Sequence, residues 1–173
     1  VNLGKEDVSL GSRQRNALIL EAIGFSDISP RMEIWISEAE KEWAKQFLSE
    51  NGLEPGQPLF VLHPGCHWGC NQWINERWSM LGDALAERYG CKVIITGSED
   101  EELVAEQSAS GMKNRPINAV GKTTLDQFAA IVAESTLVTA VDTAPTQFCQ
   151  ALNKKSVILM GAGTMAWNGP LPH

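Results

Sequence analysis

At 173 residues, 43% hydrophobic and 20% charged, the chain has the makeup of one soluble globular domain with a sizeable core and an appendage. Its formal charge of −7 argues against nucleic acid or an anionic membrane surface as the main partner, since both select clustered Lys and Arg. Four scattered cysteines, Cys66, Cys70, Cys91 and Cys149, form no disulfide scaffold and predict free thiols in a reducing cytosol.

Ser12 begins a predicted helix through Ile23, with Ala17, Leu18, Leu20 and Ile23 on one stripe and Gly24 closing it. Phe25 to Ile36 reads as irregular. Ser37-Glu-Ala-Glu40 fits a capping box, and Ala39, Trp43, Phe47 and Leu48 give an apolar face to a helix ending at Asn51-Gly52. Leu59 to Leu62 suits a buried strand and opens into a loop from His63 to Trp73 that is rich in His, Cys, Gly and Trp. A helix from Asn75 or Glu76 through Tyr89 turns Trp78, Leu81, Leu85 and Ala86 inward, and Lys92 to Thr96 is the next strand. The acidic run Glu99 to Glu102 opens a helix at the positive end of its dipole. A short strand near Pro116 to Val120 leads to Gly121-Lys-Thr-Thr124 and a helix with Leu125, Phe128, Ala129, Val132 and Ala133 on one side. Strands Leu137 to Val141 and Ser156 to Met160 flank the segment Asp142 to Leu152. No run is apolar for long enough to cross a bilayer and no leader-like sequence opens the chain, so a soluble protein is expected. The start at Val1 and the end at Pro170-Leu-Pro-His173 read as cuts from a longer chain.

Short apolar strands alternating with helices predict an α/β fold: a Rossmann-like parallel sheet with helices on both faces. In such a sheet ligands sit at the carboxyl ends of the strands, which gathers every unusual loop on one edge. Val138 to Leu152 stands out among these loops, because a strand ending in Asp142-Thr143 turns directly into a helix opened by Pro145. Free backbone N–H groups and the helix dipole make such a turn a phosphate seat. A strand, cap and helix without a ligand fits the segment equally well. His63, Cys66, His67 and Cys70 are all zinc-type ligands, but no second distant pair accompanies them, so no metal is expected. Gly161-Ala-Gly-Thr164 matches neither a dinucleotide fingerprint nor a Walker loop, and no nucleophile elbow occurs. Of six tryptophans, Trp35, Trp43 and Trp78 have core-like settings, whereas Trp68, Trp73 and Trp167 fall in loops, where they stack on a base or sugar or simply plug the loop.

The order of these loops carries a resemblance: an apolar strand into His63-Pro-Gly65 followed by Trp, then Gly97-x-x-x-Glu101, Gly121-Lys-Thr-Thr-Leu125, Val141-Asp-Thr-x-Pro145 with Ala151-Leu152, and Gly161-x-x-Thr164. From about residue 12 to the end, it resembles the C-terminal half of the ADP-heptose:lipopolysaccharide heptosyltransferases, glycosyltransferase family 9. The resemblance implies one half of a GT-B enzyme, in which two Rossmann-like halves face a cleft. Residues 1–36 would be an inter-domain segment with a helix and 37–173 the nucleotide-sugar-binding domain. The other half, which binds a lipid-linked saccharide acceptor and supplies the catalytic base, lies outside this sequence.

By the same resemblance Asp142, Thr143 and Ala144 seat the donor diphosphate, Glu101 accepts from the ribose hydroxyls, and Lys122 and Thr123 line the adenine pocket. Pro64-Gly65 shapes the loop beside the sugar. The family usually has Gly at Ala144, His at Gln147 and Lys at Asn71. Losing the Lys and the His removes charged hydrogen bonds each worth about 1.5 to 3 kcal/mol. The implied partner is an ADP-heptose-like nucleotide sugar, with no further cofactor and no nucleic acid, and the implied location is cytoplasmic, at most peripheral to the inner face of the inner membrane. Two other readings remain: a non-catalytic family member serving as a binding module, and a GT-B sugar-nucleotide epimerase, for which His63 and His67 are the candidate acid–base groups.

Overall fold

A computed structural model describes residues 12–29 and 31–161. Helices α1 (Ser12–Ala22) and α2 (Glu38–Glu50) precede strand β1 (Leu59–His63). There follow α3 (Asn75–Tyr89), β2 (Lys92–Ile95), α4 (Glu102–Ala109), β3 (Ile117–Asn118), α5 (Leu125–Glu134), β4 (Leu137–Val141), α6 (Pro145–Ala151) and β5 (Ser156–Leu159). The strands form one sheet in the order β3-β2-β1-β4-β5, parallel throughout. This is the Rossmann-like arrangement expected from the alternating pattern.

Period-two alternation divides the strands between two cores. Leu59, Val61, Ile94 and Val138 face a core closed by Ala44 and Leu48 of α2, Phe128 and Ile131 of α5 and Cys149 of α6. Phe60, Leu62, Val93 and Ile95 face the other, closed by Trp78 of α3, Ala105 of α4 and Met112. The chain winds outward through β2 and β3 with α3 and α4 on one face. It then crosses to β4 and continues with α5 and α6 on the opposite face. The reversal happens between β1 and β4, where Phe60 pairs with Leu137 and His63 with Ala140. Loops leaving neighbouring strands in opposite directions open a crevice there.

Several details depart from the sequence reading. Of the α1 stripe only Ala17 is buried; Leu20 and Ile23 are exposed. Ala39 and Leu125 lie in the first turns of α2 and α5 and are exposed, while Ala44 and Ile131, further along, fill the core. Trp35 is 87% exposed, on the irregular segment before α2 rather than in a core. The Ser37 hydroxyl accepts from the Glu40 amide at 3.1 Å, which is the N-cap half of the expected box. The third strand is only two residues long. Trp43 stacks on Phe47 with ring centroids 5.0 Å apart, and Trp78 is fully buried, as their patterns predict. All four cysteines are free thiols.

Candidate functional site

The loop that leaves β1 starts inside the molecule. His63, Pro64, Gly65 and Cys66 are buried, and only from His67 onward does the chain reach solvent. Cys66 Sγ donates to the Trp68 carbonyl at 3.1 Å, and burial pushes its thiol pKa up, with nearby Glu101 adding to the shift. Trp73 plugs the loop, edge-on to Trp78 with centroids 5.2 Å apart. Trp68 stays exposed beside His67; Trp167 lies outside the described residues. Among the described residues no group of His, Cys, Asp and Glu side chains is gathered to hold a metal ion.

Further along, Asn71 meets the end of β5. A Cβ placed on Gly161 would lie 2.6 Å from the Cys70 carbonyl oxygen and 2.7 Å from Asn71 Oδ1, so only glycine admits this contact. Because β4 lies between β1 and β5, the loop passes over the end of β4, where Asp142 and Thr143 sit. At that turn Thr146 N–H donates to Thr143 O and Gln147 N–H to Ala144 O, and Pro145 has no N–H. Thr143 and Ala144 follow β4 at the carboxyl edge of the sheet. Asp142, Thr143, Gln147 and Asn71 are half-buried, and Ala144 is exposed.

Across the crevice, Glu101 ends a short 3-10 turn, Glu99–Glu101, that leads into α4. The acidic run is thus more than dipole matching. Ser98 and Glu101 form a reciprocal capping box, with Glu101 Oε2 accepting from the Ser98 amide at 2.8 Å. This folds the carboxylate back over β1 and β2. A Cβ on Gly65 would lie 2.4 Å from Glu101 Cδ, and one on Gly97 would lie 3.1 Å from Oε2. His63 Nε2 is 3.7 Å from the same Oε2, and its Nδ1 is 2.9 Å from Thr96 Oγ1. Burial lowers the His63 pKa to about 4 although Glu101 pulls it up, so the imidazole is neutral at pH 7. At the edge strand, Lys122 donates from Nζ to the Asn118 carbonyl at 3.0 Å. Thr123 follows it, half-buried, just before the Thr124–Gln127 capping box that starts α5.

Glu101 therefore lies against Gly65 and Asn71 against Gly161, and the Asp142-Thr143-Ala144 turn leaves the neighbouring strand β4 at the same sheet edge, whereas Lys122 and Thr123 stand beyond β2, at the end of β3. Two grooves lie elsewhere. One of about 470 Å³ runs between α3 and α4, lined by Glu76, Met80, Asp83 and Glu87 among others, and its carboxylates would repel a phosphate. The other, of about 360 Å³ and lined by Gln57, Lys92 and Arg115, opens at the strand N-termini. Strand-end chemistry therefore picks the crevice over either groove. The sequence reading did not bring His63, Thr96 and Ser98 into the set around Glu101. Their signal was present: polar residues at the ends of consecutive apolar strands face one another once the strands are parallel neighbours.

The model of glycosyltransferase family 9 (heptosyltransferase) matches residues 12–173. The chain belongs to this family. This family 9 chain is 28% identical over 152 residues to lipopolysaccharide heptosyltransferase 3 of Escherichia coli K12, covering 86% of this chain and 43% of the relative. It is 27% identical over 149 residues to lipooligosaccharide heptosyltransferase 2 of Haemophilus ducreyi, covering 82% and 42%. The chain thus spans less than half the length of these curated relatives. Its fold is that of a glycosyl transferase family 9 structure from Veillonella parvula, with a TM-score of 0.86, 24% identity and coverage of 94% of this chain and 47% of that one. An Escherichia coli heptosyltransferase solved with ADP aligns at a TM-score of 0.61 and 22% identity, over 89% of this chain and 45% of that one.

Proposed function

We propose that this chain is the nucleotide-sugar-binding half of an inverting glycosyltransferase that uses an ADP-heptose-like donor in lipopolysaccharide or cell-envelope synthesis. One observation supports the reading: the Asp142-Thr143-Ala144 turn and the Pro64-Gly65 loop leave the carboxyl ends of the adjacent parallel strands β4 and β1, where the strand order reverses. An α/β sheet binds its ligand at that point. The heptosyltransferase names of the curated relatives supply the donor class. In this reading residues 37–173 form the binding domain and 1–36 connect it to an acceptor-binding half with the catalytic base.

The roles proposed are those the family resemblance implies. The Thr143 and Ala144 amides point at the diphosphate and stabilise the charge that grows on it as the glycosidic bond breaks. Glu101 takes the ribose hydroxyls, Gly65 keeps the loop low beside the sugar, and Asn71 and Gln147 flank the phosphates as neutral donors. Lys122 and Thr123 border the base at the end of β3. A carboxylate on the other half deprotonates the acceptor hydroxyl, which attacks the anomeric carbon from the face opposite the diphosphate. The chain alone binds donor without turning it over, in the cytoplasm, with the lipid-linked acceptor reached through the other half. Among the described residues no helix is long and apolar enough to cross a membrane.

Calorimetry with ADP and with UDP tests this: ADP binds more tightly, and no binding of either at about millimolar concentration would sink the reading. A second reading, a non-catalytic binding module, draws on Ala144, Gln147 and Asn71, and predicts donor binding without transfer even in the full-length protein. The epimerase reading has less support, because His63 is buried with Nδ1 beside Thr96 Oγ1 and the exposed His67 packs edge-on against Trp68.

A further inference from the structure

His63 and Thr96 follow the last paired residues of two neighbouring strands, Leu62 and Ile95, so the parallel register sets their side chains next to each other. Both are buried, and the Nδ1 to Oγ1 distance is 2.9 Å. The Glu101 carboxylate decides which ring nitrogen carries the proton. With Oε2 at 3.7 Å from Nε2, a bare Nε2 would set lone pair against lone pair, whereas Nε2–H is attracted. Nδ1 is then the acceptor, and the Thr96 hydroxyl donates to it. At 3.7 Å the Nε2–Glu101 contact is electrostatic, and a small rotation of either side chain brings it to hydrogen-bond distance.

The capping box accounts for one bond to Oε2 but not for an imidazole behind the same carboxylate. An exposed capping carboxylate needs no such neighbour. Neither does it need two glycines, Gly65 and Gly97, to make room for it. A neutral imidazole can orient a carboxylate through its dipole without cancelling the charge that hydroxyl donors seek. We propose that His63 is a positioning residue, held by Thr96 and directing Glu101 into the crevice so that its free lone pairs meet the ribose hydroxyls of the nucleotide. This rests on the donor-binding reading above and deepens it.

The test uses the full 173-residue chain, with ADP and 2′,3′-dideoxy-ADP as probes in calorimetry. Thr96→Val removes the donor to Nδ1, His63→Phe removes both ring nitrogens while filling the space near Phe128, and His63→Gln keeps an N–H near the Nε2 position. Losing one hydrogen-bond partner predicts an about fivefold weaker ADP affinity for Thr96→Val and His63→Phe, with most of the loss restored in His63→Gln. The loss shrinks below about twofold with dideoxy-ADP, and again when Glu101→Gln is already present, because coupled residues are not additive. Equal losses with both probes, or none in either variant, overturn the proposal and leave His63 a packing residue. If Glu101→Gln itself binds ADP like the parent, the ribose role of Glu101 fails, and this inference falls with it. If Glu101→Gln weakens binding while His63→Phe remains additive, only the positioning role fails. Urea midpoints check folding, and should His63→Phe not fold, the near-isosteric Thr96→Val carries the same comparison.

Discussion

Replacing Gly65 by alanine separates binding from stability. The new Cβ would fall 2.4 Å from Glu101 Cδ, 2.6 Å from Oε1 and 2.7 Å from Cγ. The obstacle is thus the far end of a flexible side chain and not the backbone, and Gly65 does not adopt the left-handed φ that would strain alanine. Glu101 swings out, losing its 2.8 Å bond from Ser98 N, a net cost of about 1 kcal/mol. Reduced freedom of the unfolded chain returns about 0.4 to 1 kcal/mol, so the melting temperature moves by less than about 4 °C. Affinity responds differently. On the proposed ribose role of Glu101, removing its carboxylate forfeits about 1.5 to 3 kcal/mol, or about 10- to 150-fold in Kd for ADP. Calorimetry with ADP beside a thermal melt reads both quantities on one preparation. A folded Gly65→Ala protein that binds ADP within about twofold of the parent would refute the placement of Glu101 at the ribose. Gly161→Ala is the contrast: its Cβ meets the Cys70 carbonyl oxygen and Asn71 Cα, at 2.6 and 2.8 Å, so backbone must move and stability drops by about 1 to 3 kcal/mol.

Other expectations follow from burial. His63 titrates at about 4 in the folded chain and near 6.5 unfolded, so its contribution is intact above pH 6.5 and is lost as pH falls toward 4. The loss is on the order of 3 kcal/mol, and urea midpoints measured from pH 7 down to about 4.5 should fall less steeply in His63→Gln; parallel slopes would exclude His63 as the source. Trp78→Ala empties a fully buried site and costs about 3 to 5 kcal/mol by urea denaturation. Trp78→Phe costs under about half of that, because the buried indole N–H has no acceptor to lose. Thiol labelling at pH 8 should modify exposed Cys70 first. Buried Cys66, Cys91 and Cys149 should lag, with Cys149, whose pKa burial pushes up to about 11, among the slowest; labelling of Cys149 at the rate of Cys70 would show that the α6 face opens.

Much of the architecture was legible because β1, β2 and β4 are short apolar runs between helical patterns, and a parallel sheet covered on both faces is what such runs build. Periodicity also found Trp78, Phe128 and Val132. It failed at Ala39 and Leu125 because a helical stripe names a side, not how far along it the sheet reaches, and both residues lie in first turns beyond the covered stretch. Trp35 misled because its size suggests burial, although it sits on an irregular segment that leaves it 87% exposed. The direct turn from β4 into α6 was legible from Asp142, Thr143 and Pro145. The surroundings of Glu101 were not: Gly65, Gly97, His63 and Thr96 reach it from two different strands, and only the parallel register brings them together.

The pairing of β1 with β4 has a kinetic consequence. Phe60 and Leu137 are partners across a longer stretch of chain than any other adjacent strands in the sheet, and the entropy of closing that loop must be met before their contacts reward it. The β1–β4 pairing therefore carries the largest loop-closure cost of the sheet. On the proposed function, a nucleotide that needs both the β4 turn and the β1 loop would bind only the folded chain and draw the equilibrium toward it by mass action.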